Sequence, residues 1–280
     1  MFKQPPAPER VLALGEGANL IGIATEPATP SDAKPSVIML NAGVLHRVGP
    51  RRLHVLLART LATHGFSTCR LDLSGIGDSR VIANHGSFRE SAVADTRMTM
   101  DYLGTETGAQ RFVLFGLCSG ADNALATAAV DPRVVGLVLI EPPSYATWRA
   151  QARQFVRRVT QSGLLGSLAA AGAAARVITR ELRRRPHSDA SSDGRQSPPK
   201  ADYRKLLNDL SGRGARVLSI YSGAMRERYN HREQLFELFP ELRGRTEVEY
   251  FGTADHVFTE VSAQARLMET VVGWLVRTYA

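Results

Sequence analysis

Apolar and polar positions along the chain alternate between strand-length and helix-length segments, in the order of a parallel sheet covered on both faces. Arg10–Leu14 and Asn19–Thr25, joined by Gly15-Glu16-Gly17, read as an antiparallel hairpin. Ser36–Leu40 is a short apolar run of the core-strand type. It is followed by the turn Asn41-Ala42-Gly43 and a helix from about Pro50 to His64 with Leu53, Leu56, Leu57 and Leu61 on one face. Phe66–Leu73 is the next strand and ends in the loop Ser74–Ser79, whose glycines allow a sharp turn. A helix over about Glu90–Leu103 leads to the strand Arg111–Leu117, which runs directly into Gly116-Leu117-Cys118-Ser119-Gly120 and the helix Ala121–Val130. Val134–Ile140 is a further strand, ending at Glu141-Pro142-Pro143.

The rhythm then stops. Trp148–Arg185 is helix-prone and rich in Arg and Ala, and His187–Lys200 is a Ser/Asp/Gly/Pro tract with the composition of a mobile loop. The sheet resumes with Arg216–Tyr221, a helix from about Arg232 to Leu238 and the strand Thr246–Phe251. The turn Thr253-Ala254-Asp255-His256 then leads to a last helix ending near Tyr279, with Leu267, Val271, Trp274 and Leu275 on its apolar face. The pattern predicts one α/β domain over residues 1–280, with an eight-stranded, mostly parallel sheet, helices on both faces, and 145–205 as a basic helical lid insertion.

Composition narrows the function classes. A chain of 280 residues with 44% hydrophobic and 22% charged residues is of ordinary globular type. The most apolar stretch, Leu164–Ile178, is interrupted by Gly166, Ser167, Gly172 and Arg176 and is too short to cross a bilayer. The first residues carry no apolar run of signal-peptide type, so a cytoplasmic location is expected. In that compartment Cys69 and Cys118 should both be free thiols. The net charge of +8 invites a nucleic-acid reading, but the charge is local. Residues 146–200 hold eleven Lys/Arg against three acids, while the rest of the chain has 24 of each sign. With no interleaved aromatics, a solvated helical face accounts for this segment better than a DNA or RNA surface, and no nucleic-acid partner is expected.

The chemistry gathers at Cys118. A nucleophile on a sharp strand-to-helix turn needs small residues two positions to either side, which Gly116 and Gly120 supply. Ser119 is the rival nucleophile, but its flanking positions are Leu117 and Ala121, and a leucine there is sterically wrong. The competing structural reading is a buried cysteine serving as a small core residue in a glycine-rich turn. Gly75-Ile76-Gly77 does not fit a dinucleotide fingerprint, and the sequence shows no P-loop and no metal-ligand cluster, so no cofactor and no metal are expected.

Four segments together carry a family resemblance. They are Asn41-Ala42-Gly43 with Arg47-Val48-Gly49-Pro50, Arg70-Leu71-Asp72-Leu73-Ser74-Gly75-Ile76-Gly77-Asp78-Ser79, Gly116-Leu117-Cys118-Ser119-Gly120, and Ala254-Asp255-His256-Val257-Phe258. In these the chain resembles the α/β-hydrolase superfamily over nearly its whole length, and most closely the bacterial hydrolases associated with the exosortase and exopolysaccharide systems. The resemblance implies an acyl-enzyme mechanism with a nucleophile, a histidine base, an orienting carboxylate and two backbone donors for the oxyanion.

Within that frame His256, after the last strand and before the last helix, is the expected base. His46, His54, His64, His85, His187 and His231 read as surface or loop residues, and Asp255 as a turn-former. The acid of this fold usually follows the strand after the lid, where Met225 stands instead. Glu141 at the end of Val134–Ile140 is favoured over Glu227, and a Cys-His pair acting without an acid is the remaining alternative. The expected oxyanion donors are the amides of Ser119, at the start of a helix, and of Gly43, with Val44 next. The lid would line an acyl pocket for a small-molecule or carrier-bound acyl substrate, and its arginines would face an anionic group or a membrane surface. These readings converge on hydrolysis of an ester or thioester by Cys118. Acyl transfer to an alcohol or amine is the first alternative, and a catalytically silent binding protein, favoured by the missing acid at Met225, is the second.

Overall fold

In a computed structural model, residues 7–29, 31, 33–81, 86–160 and 197–280 are described. The strands are β1 (Glu9–Leu14), β2 (Leu20–Thr25), β3 (Ser36–Met39), β4 (Thr68–Asp72), β5 (Phe112–Leu117), β6 (Val134–Ile140), β7 (Arg216–Ser222) and β8 (Thr246–Phe251). They form one eight-stranded sheet in the order β1-β2-β4-β3-β5-β6-β7-β8. β1 and β2 pair antiparallel and β2 runs antiparallel to β4, whereas every other pair is parallel.

The central strands read as unbroken apolar runs because each face is covered by helices. Val113, Phe115 and Leu117 of β5 point into a core shared with α1 (Leu53–Thr63) and α7 (Val261–Thr278), which contribute Leu57, Leu61, Val271 and Trp274. Phe112 and Leu114 point the other way, into a core with Met100 of α2 (Phe88–Thr107) and Leu125 of α3 (Ser119–Val130). The period-two alternation of a strand thus sends neighbouring residues into two separate cores. The start of α2 is fixed by a capping box, in which Ser87 Oγ accepts from the Glu90 amide while Glu90 Oε2 accepts from the Ser87 amide at 2.7 Å.

Three local readings change. The helix expected from Pro50 begins at Leu53, because Arg51 and Arg52 adopt positive φ (47° and 62°) and break α-helical geometry after a single tight turn. Leu56, placed on the apolar face of α1, is 39% exposed. The chain also forms α5 (Lys200–Gly212), which the sequence reading did not mark. Tyr203, Leu207 and Leu210, spaced i, i+4, i+7, seat α5 in the same core as α3, and Arg213 donates to the carbonyl of Ala128. Residues 200–205, expected to close the lid, therefore begin a helix that covers the sheet. Of the lid itself, 148–160 is helical and is labelled α4. The rest, 161–196, with the Ala/Leu-rich run and residues 187–196 of the His187–Lys200 tract, lies outside the described residues.

The loops at the carboxyl edge of the sheet are clamped by Asp72, which is fully buried at the end of β4. Its carboxylate accepts from the Arg47 amide (2.6 Å), Asn41 Nδ2 (3.1 Å), the Asp78 amide (3.1 Å) and the Arg47 guanidinium. Asn41 also accepts from the Leu73 amide (2.7 Å) and donates to the Leu45 carbonyl (2.8 Å). The loop carrying Gly43 is thereby tied to the ends of β3 and β4.

Candidate active site

Cys118 stands between β5 and α3 with φ 56° and ψ −118°, a conformation that is costly for a residue with a side chain. It is held there by hydrogen bonds from its amide to the Ile140 carbonyl (2.9 Å) and from the Ala121 amide to its carbonyl (2.9 Å). The two glycines are required by close approach. A Cβ at Gly116 would lie 2.2 Å from the carbonyl group of Gly120, and a Cβ at Gly120 would lie 2.6 Å from the Asn41 carbonyl oxygen. The thiol is half-buried, whereas Cys69 is fully buried in β4, where burial pushes its thiol up to about 12.

Three hydrogen bonds and one ring contact shape the turn that presents His256. The Ala254 amide donates to Phe251 O (3.1 Å), the Phe258 amide to Asp255 O (3.3 Å) and the Thr259 amide to Asp255 Oδ1 (2.7 Å). Phe258, fully buried, packs edge-on against Phe251 with centroids 5.3 Å apart. Asp255 is thus the turn-former that its position suggests. The same turn rests on Gly223, where a Cβ would meet the Gly252 carbonyl oxygen at 2.3 Å.

The ring of His256 bridges two of the expected site residues. Its Nδ1 faces Glu141 Oε2 in a short contact, and since a carboxylate only accepts, Nδ1 carries the hydrogen. The ring also hydrogen-bonds Cys118. With Nδ1 taken by Glu141, Nε2 is the atom that serves the sulfur. These contacts raise His256 from 6.5 to about 10, the bond to Cys118 contributing most and that to Glu141 next, against the opposing effect of burial. At neutral pH the ring is therefore held as the imidazolium.

Glu141 directly follows β6, with φ 54° and no solvent exposure. Its amide donates to Ile220 O of the neighbouring strand at 2.7 Å, and its Oε1 accepts from Ser222 Oγ. Both carboxylate oxygens therefore have donors, as a buried charge requires. Glu227 is elsewhere: its side chain is 78% exposed and lies 3.9 Å from Arg158. Met225 is half-buried and packs on the core next to β7. Ser222 is the site residue that sequence reading missed, and only the pairing of β6 with β7 reveals it.

Two histidines read as surface or loop residues are buried, His54 within α1 and His231 in a loop. His54 packs edge-on against Phe115 (5.4 Å) with no exposure, and burial lowers it to about 4. His231 is 6% exposed, with Nε2 2.8 Å from Glu237 Oε1 and Nδ1 3.0 Å from Asn230 Oδ1. His46 and His64 are exposed, and His85 and His187 lie outside the described residues. Among the described residues no group of His, Cys, Asp and Glu is arranged to hold a metal, and no helix is long and apolar enough to cross a membrane.

The family model described as serine aminopeptidase, S33, matches residues 42–192, more than half of the chain. The chain belongs to the serine aminopeptidase S33 family. No curated protein matches it in sequence. Among solved structures, an esterase of Pyrococcus furiosus is similar with a TM-score of 0.60 at 15% identity, over 98% of this chain and 92% of that one. A Xanthomonas campestris protein described as an α/β serine hydrolase without lid is similar with a TM-score of 0.54 at 17% identity, over 99% and 98%. A cold-adapted esterase from an Arctic intertidal metagenomic library gives 0.52 at 14%, over 97% and 93%. At such identities the likeness establishes the α/β-hydrolase fold alone. S33 membership and this fold make the chain an α/β-hydrolase.

Against the serine in the family's description, the elbow of this S33 member carries a cysteine. The serine beside it is otherwise engaged: Ser119 Oγ accepts from the Gly43 amide at 2.8 Å. Gly43 and Ser119, the two expected oxyanion donors, are thus neighbours. The Gly43 N–H, however, is directed at a side chain. Val44 is 88% exposed.

Proposed function

We propose that this protein cleaves an ester or thioester through an acyl group carried on Cys118. The observation behind this reading is the continuous chain of contacts from Cys118 to His256 to Glu141 to Ser222 at the carboxyl edge of the sheet. With its proton already resting on His256 Nε2, the Cys118 sulfur attacks the carbonyl carbon, giving a tetrahedral oxyanion. Collapse breaks the bond to the leaving alcohol or thiol, which departs with the proton from the imidazolium. Water, deprotonated by His256, then attacks the thioester and releases the acid and free Cys118. Glu141 keeps Nδ1 protonated and the ring aimed at the sulfur throughout. Its place on His256 also weakens the case for a silent protein, which rested on Met225.

A second reading follows from the cysteine itself. A thioester is readily intercepted by an amine or alcohol, so transfer of the acyl group competes with hydrolysis.

Incubation with p-nitrophenyl acetate tests the reading. A burst of nitrophenol with one acetyl adduct on Cys118 by intact-protein mass spectrometry is expected, and both should vanish in Cys118→Ala. Full turnover by Cys118→Ala would overturn it. With hydroxylamine or an alcohol present, acetyl appearing on the acceptor faster than acetate would favour transfer.

A further inference from the structure

We propose that the hydroxyl of Ser119, and not the amide of Gly43, supplies the second hydrogen bond to the oxyanion formed on Cys118. The inference rests on the acyl-enzyme reading above. The Gly43 amide is committed to Ser119 Oγ at 2.8 Å, and its loop is fixed by the Asp72 clamp, so it does not swing freely onto a substrate. A hydroxyl that accepts through its oxygen still carries its own hydrogen to donate. Ser119 and Gly43 are both accessible rather than sealed in the core, and Ser119 adjoins the sulfur in the chain. The Gly43 N–H polarises the Ser119 O–H, and such linked hydrogen bonds strengthen one another.

The arrangement suits a sulfur nucleophile. Bonds from carbon to sulfur are longer than bonds from carbon to oxygen, so a tetrahedral carbon on Cys118 stands further from the backbone than one on a serine. A backbone donor such as the Gly43 amide is then further from the oxyanion. A hydroxyl interposed between that amide and the substrate extends the donor outward by one hydrogen bond, while the Ser119 amide serves from below. Donors must lie within about 3 Å of the oxyanion to act, so this extension decides whether a second donor exists.

The test uses p-nitrophenyl acetate and iodoacetamide on the wild type, Ser119→Ala, Ser119→Thr and Cys118→Ala. Acylation develops an oxyanion, whereas alkylation of sulfur by iodoacetamide does not. Ser119→Ala should slow the acylation burst and kcat roughly a hundredfold, the usual loss for one oxyanion donor, with KM little changed. Its iodoacetamide rate should match wild type, and Ser119→Thr, which keeps the hydroxyl, should recover most of the loss. Equal or faster acylation by Ser119→Ala overturns the inference, since the hydroxyl would then be inert or in the way. Parallel losses in acylation and alkylation also overturn it, because they show only a disturbed elbow. Activity retained by Cys118→Ala refutes instead the acyl-enzyme reading on which the inference stands.

Discussion

Replacing Glu141 by glutamine preserves the shape of the side chain and removes its charge. In the wild type Ser222 Oγ–H and His256 Nδ1–H donate to the two oxygens of a carboxylate with no solvent exposure. An amide offers one oxygen and an NH2, so one of the two donors must face another donor. Leaving a buried donor unmatched costs about 1–3 kcal/mol. The charge lost from beside the imidazolium costs more, but the His256 side chain is 40% exposed, so solvent screening limits that part to about 1 kcal/mol. Together these predict about 3 kcal/mol at pH near 6, a melting point lower by about 5 °C for a chain of this size. The sign of the pH dependence follows from His256, whose folded value of about 10 lies above 6.5. Its stabilisation is complete below about pH 6.5 and is lost as pH rises through about 10. Melting curves for both proteins from about pH 6 to about pH 10.5 should therefore show a gap that narrows by about a third. A gap that stays constant or widens would refute the assigned ion pair, and kcat/KM falling by less than about threefold would refute an orienting role for Glu141.

In an NMR titration His256 should change protonation near pH 10, and Cys118→Ala should lower that midpoint more than Glu141→Gln, because the bond to Cys118 is the larger cause. His54, neutral in the fold and lowered to about 4, makes the protein lose roughly 3 kcal/mol as pH falls from 6.5 toward 4. His54→Phe should flatten that slope in urea denaturation, and an unchanged slope would place the acid sensitivity elsewhere. Gly116→Ala puts a Cβ 2.2 Å from the Gly120 backbone, so it should lower kcat/KM more than tenfold and destabilise by about 2 kcal/mol. Asp72→Asn should destabilise by about 3 kcal/mol in thermal melts, since a buried carboxylate with a guanidinium partner is broken.

The turn around Cys118 was legible because its requirements are local: an apolar strand, two small residues at fixed offsets and a following helix lie within about twenty consecutive residues. The placement of Glu141, rather than Glu227, beside His256 was legible for a related reason, since a carboxylate following a wholly apolar strand faces the carboxyl edge of the sheet. Ser222 was not, because its contact with Glu141 depends on the register between β6 and β7. The burial of His54 was hidden because it lies off the stripe of Leu53, Leu57 and Leu61, and its packing against Gly49 and Phe115 is invisible to periodicity. The apolar stripe of α5 was present in Tyr203, Leu207 and Leu210 but was absorbed into the lid by the arginines before it. The Gly43 to Ser119 hydrogen bond spans 76 positions, and nothing in the spacing of either residue announces it.

The pairing of Glu141 with His256 also spans 115 positions, so its carboxylate gains its partners only from chain that follows β6. β3 to β6 can assemble from successive, nearly adjacent segments. At that stage Glu141 sits at the edge of the growing sheet with neither Ser222 nor His256 in place. Desolvating it then would be unfavourable, so the end of β6 stays open to water until β7 contributes the Ile220 carbonyl and the Ser222 hydroxyl. His256 comes last, on the far side of β8. Glu141, Ser222 and His256 are consequently the final members of this cluster to settle, and a chain halted before β8 has a finished turn at Cys118 with no histidine beside it. Refolding followed by recovery of activity should lag behind refolding followed by burial of the central strands, with the interval set by the docking of the last two strands.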